Sequence, residues 1–402
     1  MFSSKLYNPP TDIPLNDILP EEPLLLMGAG PVPLPHQVAR ANSVVINHLG
    51  ETMDRIIAQV KLMGQYVFQT GSDKVFGVAG PSSAAMEMAI TNILWPGRKV
   101  LVLVMGTFSR RFAELAECVG AQVDILESES NCPMAITAVE LKLSQKQYDV
   151  VTLVQGETSS GVFNKDLQAI CSAASQHGAL VVVDAVCTLT TMPFLMDEWH
   201  VDVAVTGGQK GLSSIPGVSL IAFSNRAWQA VEARTSRCPH WCLDVRRAYL
   251  FWHKQQYHYT APVPGILALY EALRLIAREG LEKRWERHRV SSTALQTGIQ
   301  AMGLELFIPV EYRLNSVVAI KINDGVDSFK LRKNMAQNYN VEISGAFGLP
   351  ILRIGQMGEQ CRSHNLLKTL YALGMCCRQE GMNVDVAAGM AQMEEKLAPE
   401  LK

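Results

Sequence analysis

From about residue 98 the chain alternates between short, continuously apolar runs and longer segments that are apolar on one side only. "RKVLVLV" (98–104) precedes the amphipathic "FSRRFAELAECVG", and "QVDILE" (122–127) comes next. "DVVTLV" (149–154) then precedes "DLQAICSAASQHG". There Leu167, Ile170, Cys171 and Ala174 recur at helical spacing, and Gly178 is placed to end the helix. "ALVVVD" (179–184) and "VDVAVTG" (201–207) continue the series. Val/Leu/Ile runs without alternation, separated by helices, predict parallel strands buried on both faces of an α/β domain. Functional groups are then expected in loops at the carboxyl ends of the strands.

The pattern changes after residue 265. "GILALYEALRLIAREGLEKRWERHRVSSTALQTGIQAMG" predicts two long helices or one broken helix. Beyond it, "NSVVAIKI" reads as a strand, "DSFKLRKNMAQNY" as a helix, "NVEIS" and "PILRIG" as strands, and "HNLLKTLYALGMCCRQEG" as a helix. These make a compact α+β unit. The polar, Pro-rich residues 1–22 read as an extended arm. The expected organisation is therefore an arm (1–22), a large domain (23–275) and a smaller C-terminal domain (276–402).

Composition narrows the class. The chain has 402 residues, 48% hydrophobic and 18% charged, which suits a soluble globular protein with room for two cores. A net charge of −2 gives no reason to expect nucleic acid or an anionic membrane surface as partner. Nine irregularly spaced cysteines, an odd number, argue against a disulfide framework and for a reducing, cytoplasmic setting. "MFSSKLYNPPTDIPLND" lacks the pattern of a signal or transit peptide, no apolar run reaches membrane-spanning length, and "APELK" is not a peroxisomal address.

The chemistry concentrates in three places. "VTGGQKGLSSIPG" holds one charged side chain, Lys210, among small and apolar residues. Asp184 closes the run "LVVVD", 26 residues earlier. Right-handed crossovers between parallel strands can bring both to one sheet edge, where spacing alone equally allows a plain ion pair. "GVAGPSSAAMEMAITNIL" (77–94) is a Gly/Ser loop feeding a helix. Its first-turn amides, with the hydroxyls of Ser82 and Ser83, can hold an anion, although the same sequence also serves as an ordinary cap. Together these three elements match the needs of pyridoxal 5′-phosphate (PLP): an isolated amine of lowered pKa, a carboxylate for the pyridine nitrogen, and a phosphate cup.

At this point the chain resembles the class V, fold type I PLP-dependent aminotransferases of the alanine–glyoxylate and serine–glyoxylate group. The motifs "LLMGAGPVPLP", "QYVFQT", "GPSSAAMEMA", "GETSSGVFN", "VVVDAV", "TGGQKGLSSIPGVSL", "YHYTAPV" and "LRIGQMG" fall in order from about Leu24 to about 380. The resemblance implies a mainly parallel, seven-stranded-type sheet flanked by helices, with a smaller α+β C-terminal domain. It implies that Lys210 attaches the cofactor and shuttles a proton. Asp184 is then paired with the ring nitrogen, with Val186 and Phe108 on the two ring faces. Pro81, Ser82, Ser83, Thr158 and Gln209 surround the phosphate or the phenolic oxygen. Tyr257 and Thr260 would reach the cofactor phosphate of a neighbouring subunit, implying an obligate homodimer with shared sites.

The resemblance also makes Arg353 the holder of the substrate α-carboxylate. It places Gly28 and Gly30 over the site mouth, with His48 near the neighbouring site. The implied reaction moves an amino group from a small donor, alanine or serine, to a 2-oxo acid, with glyoxylate expected. Pyridoxamine–pyruvate, ureidoglycine–glyoxylate and 2-aminoethylphosphonate transaminases are neighbouring alternatives. The first has an acidic residue where this chain has Pro81, and an extra arginine where it has Ala346 and Phe347. A cysteine desulfurase or lyase would stack a histidine where Phe108 stands, and Cys361, its nearest candidate nucleophile, is expected to open a helix. Cys238, His240 and Cys242 in "CPHWC" lack a fourth ligand, so no metal is expected.

Overall fold

The Val-rich runs form one seven-stranded sheet in the computed structural model, which describes residues 9–322, 325–346 and 348–398. Across the sheet the strands are Val75–Ala79, Val218–Phe223, Val203–Gly207, Leu180–Asp184, Val150–Val154, Lys99–Val104 and Gln122–Glu127. All neighbours run parallel except Val218–Phe223, which is antiparallel to both of its partners. The central strands are buried throughout, as continuous apolar runs require. Gln122–Glu127 differs from the expectation of two buried faces. It is an edge strand, half exposed, and its Asp124 is tied to Lys146 and Tyr148.

Helices cover the sheet. Leu167–Gln176 buries Leu167, Ile170, Cys171 and Ala174, and the chain turns at Gly178 (φ 85°). Ser82–Ile93 and Thr107–Cys118 start at the carboxyl ends of Val75–Ala79 and Lys99–Val104. Glu51–Phe68, Asn225–Ala233 and Val245–Lys254 are further helices that the sequence reading did not single out.

The segment after residue 265 is two helices, Val263–Glu279 and Leu281–Ala301, broken at Gly280 (φ 85°). Val317–Lys321, Ile351–Gly355 and Ser344–Gly345 form a small antiparallel sheet in that order. "NVEIS" is not one strand. Val341–Glu342 leaves this sheet and pairs in parallel with Leu25–Leu26, which straps the start of the chain to the C-terminal half. Cys361 does not open a helix either. It lies in a single 3₁₀ turn, Gly358–Cys361, ahead of the helix Ser363–Gln379.

Two apolar cores result. One surrounds the seven-stranded sheet and ends with Leu281 and Ile308. The other begins at Ala294 and takes in Met27 from the strapped segment. Helix Leu281–Ala301 enters both, so it is the rigid connection between them. Its far end meets helix Val386–Leu397 through glycines: a Cβ on Gly298 would lie 3.0 Å from the Gly389 carbonyl and 2.7 Å from Leu370 Cδ2. Gly298→Leu is therefore expected to destabilise the C-terminal core by about 1–3 kcal/mol. A thermal unfolding midpoint equal to wild type would show that the helices do not meet this closely.

Candidate active site

Asp184 and Lys210 meet because their strands are neighbours. Leu180–Asp184 pairs in parallel with Val203–Gly207, Asp184 lying opposite Val205, and Lys210 follows three residues after Gly207. The Asp184 carboxylate accepts the Val186 amide at 2.7 Å. Burial raises its pKa to about 7; the Val186 N–H, Arg111 and Lys210 oppose the rise, and Glu157 adds to it. Lys210 donates to the Ala29 carbonyl. Burial pushes its pKa below the usual lysine range; Arg353 adds to this, while Cys187 and Asp184 oppose it. Gly30, at φ 109°, lets the chain pass over this amine, since a Cβ there would lie 2.5 Å from Lys210 Nζ. Gly28 instead makes room for Ser344, whose Oγ would sit 2.3 Å from an added Cβ.

The anion cup is built at the N-terminus of helix Ser82–Ile93. Its N-cap is Pro81, which supplies no side-chain cap. Ser82 Oγ accepts from Gln209 Nε2 at 2.9 Å, and Gly207 is glycine because a Cβ would overlap Ser82 Oγ at 1.9 Å. Gln209 Oε1 is buried without a partner; with the amide turned over, Oε1 accepts from the Ser82 hydroxyl and Nε2 takes the open position as a donor for an anion. Ser83 Oγ accepts from Arg111 Nη1 at 2.8 Å, and the same guanidinium stands 5.2 Å from the Phe108 ring.

Phe108 opens helix Thr107–Cys118, and Glu157 fixes that helix end. The buried carboxylate accepts from Phe108 N (3.2 Å), Ser109 N (3.0 Å), Ser109 Oγ (2.9 Å), Ser159 N (3.2 Å) and Ser159 Oγ (2.5 Å). It replaces the cap that Gly106 cannot supply. Neither Glu157 nor Arg111 was singled out from the sequence. The available signals were a carboxylate just past a buried strand and an arginine one helical turn after Phe108.

Arg353 comes from the other half of the molecule. It is not at a solvated strand end but in the middle of Ile351–Gly355, 6% exposed. Its guanidinium donates to the Thr158 carbonyl at 2.6 Å and to the Gly345 carbonyl at 2.8 Å. Burial lowers its pKa, with Glu157 opposing. No carboxylate among the described residues is within ion-pair distance of it. Thr158 is thus placed where the two halves touch. Val186 is half-buried beside Asp184. Ala346 follows Gly345 directly, and Phe347 lies outside the described residues.

Three expected residues gather elsewhere. His48 Nδ1 accepts from the Ala261 amide at 3.3 Å, and its ring lies edge-on to Tyr257 at 5.8 Å. Tyr257 is 60% exposed and Thr260 is exposed. No hydrogen bond among the described residues joins these three to Lys210, Asp184 or Ser82. In "CPHWC", His240 pairs with Glu87 at 2.7 Å and Cys238 Sγ donates to the Thr91 carbonyl. Cys361 is buried, donates to the Gln356 carbonyl, and is pushed up to about 11 by burial, the reverse of a mobile nucleophile.

The fold and this site define an α/β protein with a buried carboxylate and a single buried lysine beside an uncapped helix N-terminus. The model for the family "Aminotransferase class-V" matches residues 35–369, and the chain belongs to that family. It is 32% identical over 358 residues to the alanine–glyoxylate aminotransferase of Felis catus, covering 87% of this chain and 86% of the relative. The solved ureidoglycine-glyoxylate aminotransferase of Bacillus subtilis superposes with a TM-score of 0.91 at 29% identity, covering 94% of this chain and 99% of that one. The pyridoxamine-pyruvate aminotransferase of Mesorhizobium loti gives 0.89 at 26%, covering 95% and 99%. The protein is an aminotransferase. The family is PLP-dependent, and the uncapped helix end, the leftover Gln209 position and the buried Asp184 fit that cofactor.

Because the Asp184 pKa in the fold lies above its ordinary 3.8, this group destabilises the cofactor-free fold as pH rises from about 4 to about 7. Asp184→Asn keeps an acceptor for the Val186 amide. Its cofactor-free unfolding midpoint is expected to exceed wild type at pH 8 and to match it near pH 4. Equal differences at both pH values would reject the buried-carboxylate account. Gly30→Ala is expected to slow covalent uptake of added PLP, followed by visible absorbance, because it displaces the amine. Unchanged uptake would mean that the Gly30 segment does not lie against Lys210.

Proposed function

We propose that this aminotransferase moves the amino group of alanine or serine to a 2-oxo acid, glyoxylate foremost. The observation that carries the reading is a buried Arg353, free of carboxylates, acting on the same site as Lys210. A guanidinium removed from water binds an α-carboxylate bidentately and strongly. Arg111, the other guanidinium close to Asp184, is engaged by Ser83 and Phe108. That favours donors without a second carboxylate. The names of the alanine–glyoxylate relatives support the same substrate pair.

When bound, PLP supplies an electron sink for the bonds at the donor's Cα. The chain's residues do the rest. Lys210 would anchor the cofactor and move the proton at the donor's Cα, a task that a pKa lowered by burial favours. Asp184 holds its negative charge opposite a ring N–H. Ser82, Ser83, Gln209 and the first-turn amides after Pro81 hold the phosphate, with Thr158 at the phenolic side. Phe108 and Val186 would pack against the ring, and Arg353 would orient the donor carboxylate. Gly28 and Gly30 carry the chain over the mouth and exclude water from it.

The proposal extends to the assembly. The exposed Tyr257 and Thr260, with His48 beside them, suit a homodimer in which this loop completes a neighbour's phosphate site. The organisation we favour is a large domain over 23–275, a smaller one over 276–402 and residues 1–22 as an arm, although Ile276, Leu281 and Ile308 pack in the large core and Met27 in the small one. All nine cysteines are free thiols, which fits a reducing, cytoplasmic compartment. No described helix is long and apolar enough to cross a membrane.

The test is a half-reaction screen, in which the PLP form is mixed with alanine, serine, ureidoglycine and pyridoxamine and the visible band is followed. Alanine or serine is expected to bleach it, and glyoxylate to restore it. Turnover confined to pyridoxamine with pyruvate would overturn the reading. Lys210→Ala is expected to lose on the order of 10³-fold or more in kcat. Arg353→Lys should raise KM for the donor about ten- to a hundredfold, through loss of a charge-assisted fork. An unchanged KM would remove Arg353 from the carboxylate site.

A further inference from the structure

Arg284 is 3% exposed, although it lies in the first turn of a helix whose sequence, "LEKRWERHR", reads as solvated. Its guanidinium reaches the backs of both active-site loops. Nη2 donates to the Gly211 carbonyl at 2.7 Å, one residue beyond Lys210. Nε donates to Thr190 Oγ1 at 3.2 Å, in the loop that follows Asp184. Thr190 Oγ1 itself donates to the same Gly211 carbonyl at 2.8 Å. That carbonyl is thus held from two directions, and Gly211 cannot shift toward Leu189, whose carbonyl would lie 2.3 Å from an added Cβ.

The same helical turn also holds the turn Gly358–Cys361, which begins three residues past the strand that carries Arg353. Nη1 of Arg284 donates to Glu279 Oε2 at 2.7 Å, and Glu279 also accepts from Arg287 Nε at 2.7 Å. Burial would raise the Glu279 carboxyl, but Arg287 and Arg284 hold it down at about 2, so the cluster stays ionised. Arg287 Nη1 donates to the Gly358 carbonyl at 2.9 Å. His288 accepts the Gly358 amide at Nε2 (3.0 Å) and meets the Arg284 carbonyl through Nδ1 (2.7 Å). A carbonyl can only accept and an amide can only donate, so His288 is neutral with its proton on Nδ1. Ser213 and Gly358 close the loop: a Cβ on Gly358 would overlap Ser213 Oγ at 1.8 Å.

We propose that Arg284 is a positioning residue for Lys210, and that Glu279, Arg287 and His288 tie the lysine loop to the strand carrying Arg353. The inference rests on Lys210 being the cofactor-binding amine. It adds that the amine's environment is set from behind, at the junction of the two cores. The groups that act on Lys210 directly are Cys187, Arg353 and Asp184. Arg284 acts through the Gly211 carbonyl and not by contact. Loosening that carbonyl admits water to the buried nitrogen of Lys210 and so favours its protonated form, whether it is free or joined to the cofactor.

The experiment reads the pH midpoint of the visible cofactor band in the PLP-loaded enzyme, without acceptor, and then kcat and KM. Arg284→Lys keeps the charge for Glu279 but loses the fork. It is expected to raise the midpoint by about half a pH unit or more and to lower kcat roughly tenfold, with donor KM within about threefold. Thr190→Val keeps the Arg284 bond to Gly211 but removes both the Thr190 bond to that carbonyl and the acceptor of Arg284 Nε, so a shift of the same sign is expected; it decides the matter if Arg284→Lys does not fold. Arg234→Lys is the control for general destabilisation: Arg234 is another buried arginine, bonded to Thr91, Ser236 and Arg237. Its band midpoint is expected to match wild type. The proposal is overturned if Arg284→Lys, or Thr190→Val in its place, gives the same midpoint as Arg234→Lys. Failure of wild type to use alanine and glyoxylate would count against the proposed substrates alone, because the midpoint is read without acceptor.

Discussion

Everything at this site depends on one amine being held out of water without a carboxylate in contact with it. Among the described residues Lys210 forms no ion pair; its partner is the Ala29 carbonyl. An ammonium so placed is poorly solvated, and burial pushes its pKa below the usual lysine range, in favour of the neutral form. A direct Asp184 contact would stabilise the charged form and defeat this. The sheet avoids that contact by setting the two side chains on adjacent strands, so that Asp184 influences Lys210 without bonding to it. The glycines around the site serve the same end. Gly30 lets backbone lie on the lysine, and Gly207 lets Ser82 and Gln209 approach each other.

The second constraint is that the buried cation at this site, Arg353, comes from the other core. Arg353 crosses the junction to reach Thr158, while Leu25–Leu26 straps the mouth segment to the C-terminal half. Helix Leu281–Ala301 belongs to both cores and carries Arg284, Arg287 and His288 at the crossing. A relative movement of the halves changes where Arg353 stands with respect to Lys210. The buried ionic cluster resists that movement, because separating its charges leaves them unpaired in a low dielectric. Position and reactivity at this site are therefore mechanically linked.

Much was legible along the chain. The apolar runs marked five of the seven strands of the main sheet to within two residues, since side chains buried on both faces leave no alternation to misread; Val75–Ala79 and Val218–Phe223 were not among them. Lys210 and Asp184 stood out because a lone charge among apolar residues needs a reason. The errors have physical causes as well. Gln122–Glu127 is half exposed because it lies at an edge, and edge position is not written in a run of six residues. "NVEIS" is divided because the segment Leu25–Leu26, more than 300 residues away in sequence, takes its first half. Arg353 was named from its motif, but its burial and its acceptors, the Thr158 and Gly345 carbonyls, were not legible, because those backbone groups are brought there by folding.

The sequence by itself determined the α/β class, the order of motifs, the lone lysine and the carboxylate that faces it. Those are local properties of residue type and spacing. Only the tertiary structure decided that Glu157 fixes the Phe108 helix end, that Arg111 joins Ser83 to Phe108, and that Arg284 stands behind both active-site loops. Each is a charged residue whose partners are distant in sequence. Its burial and its role follow from three-dimensional contacts that no local pattern encodes.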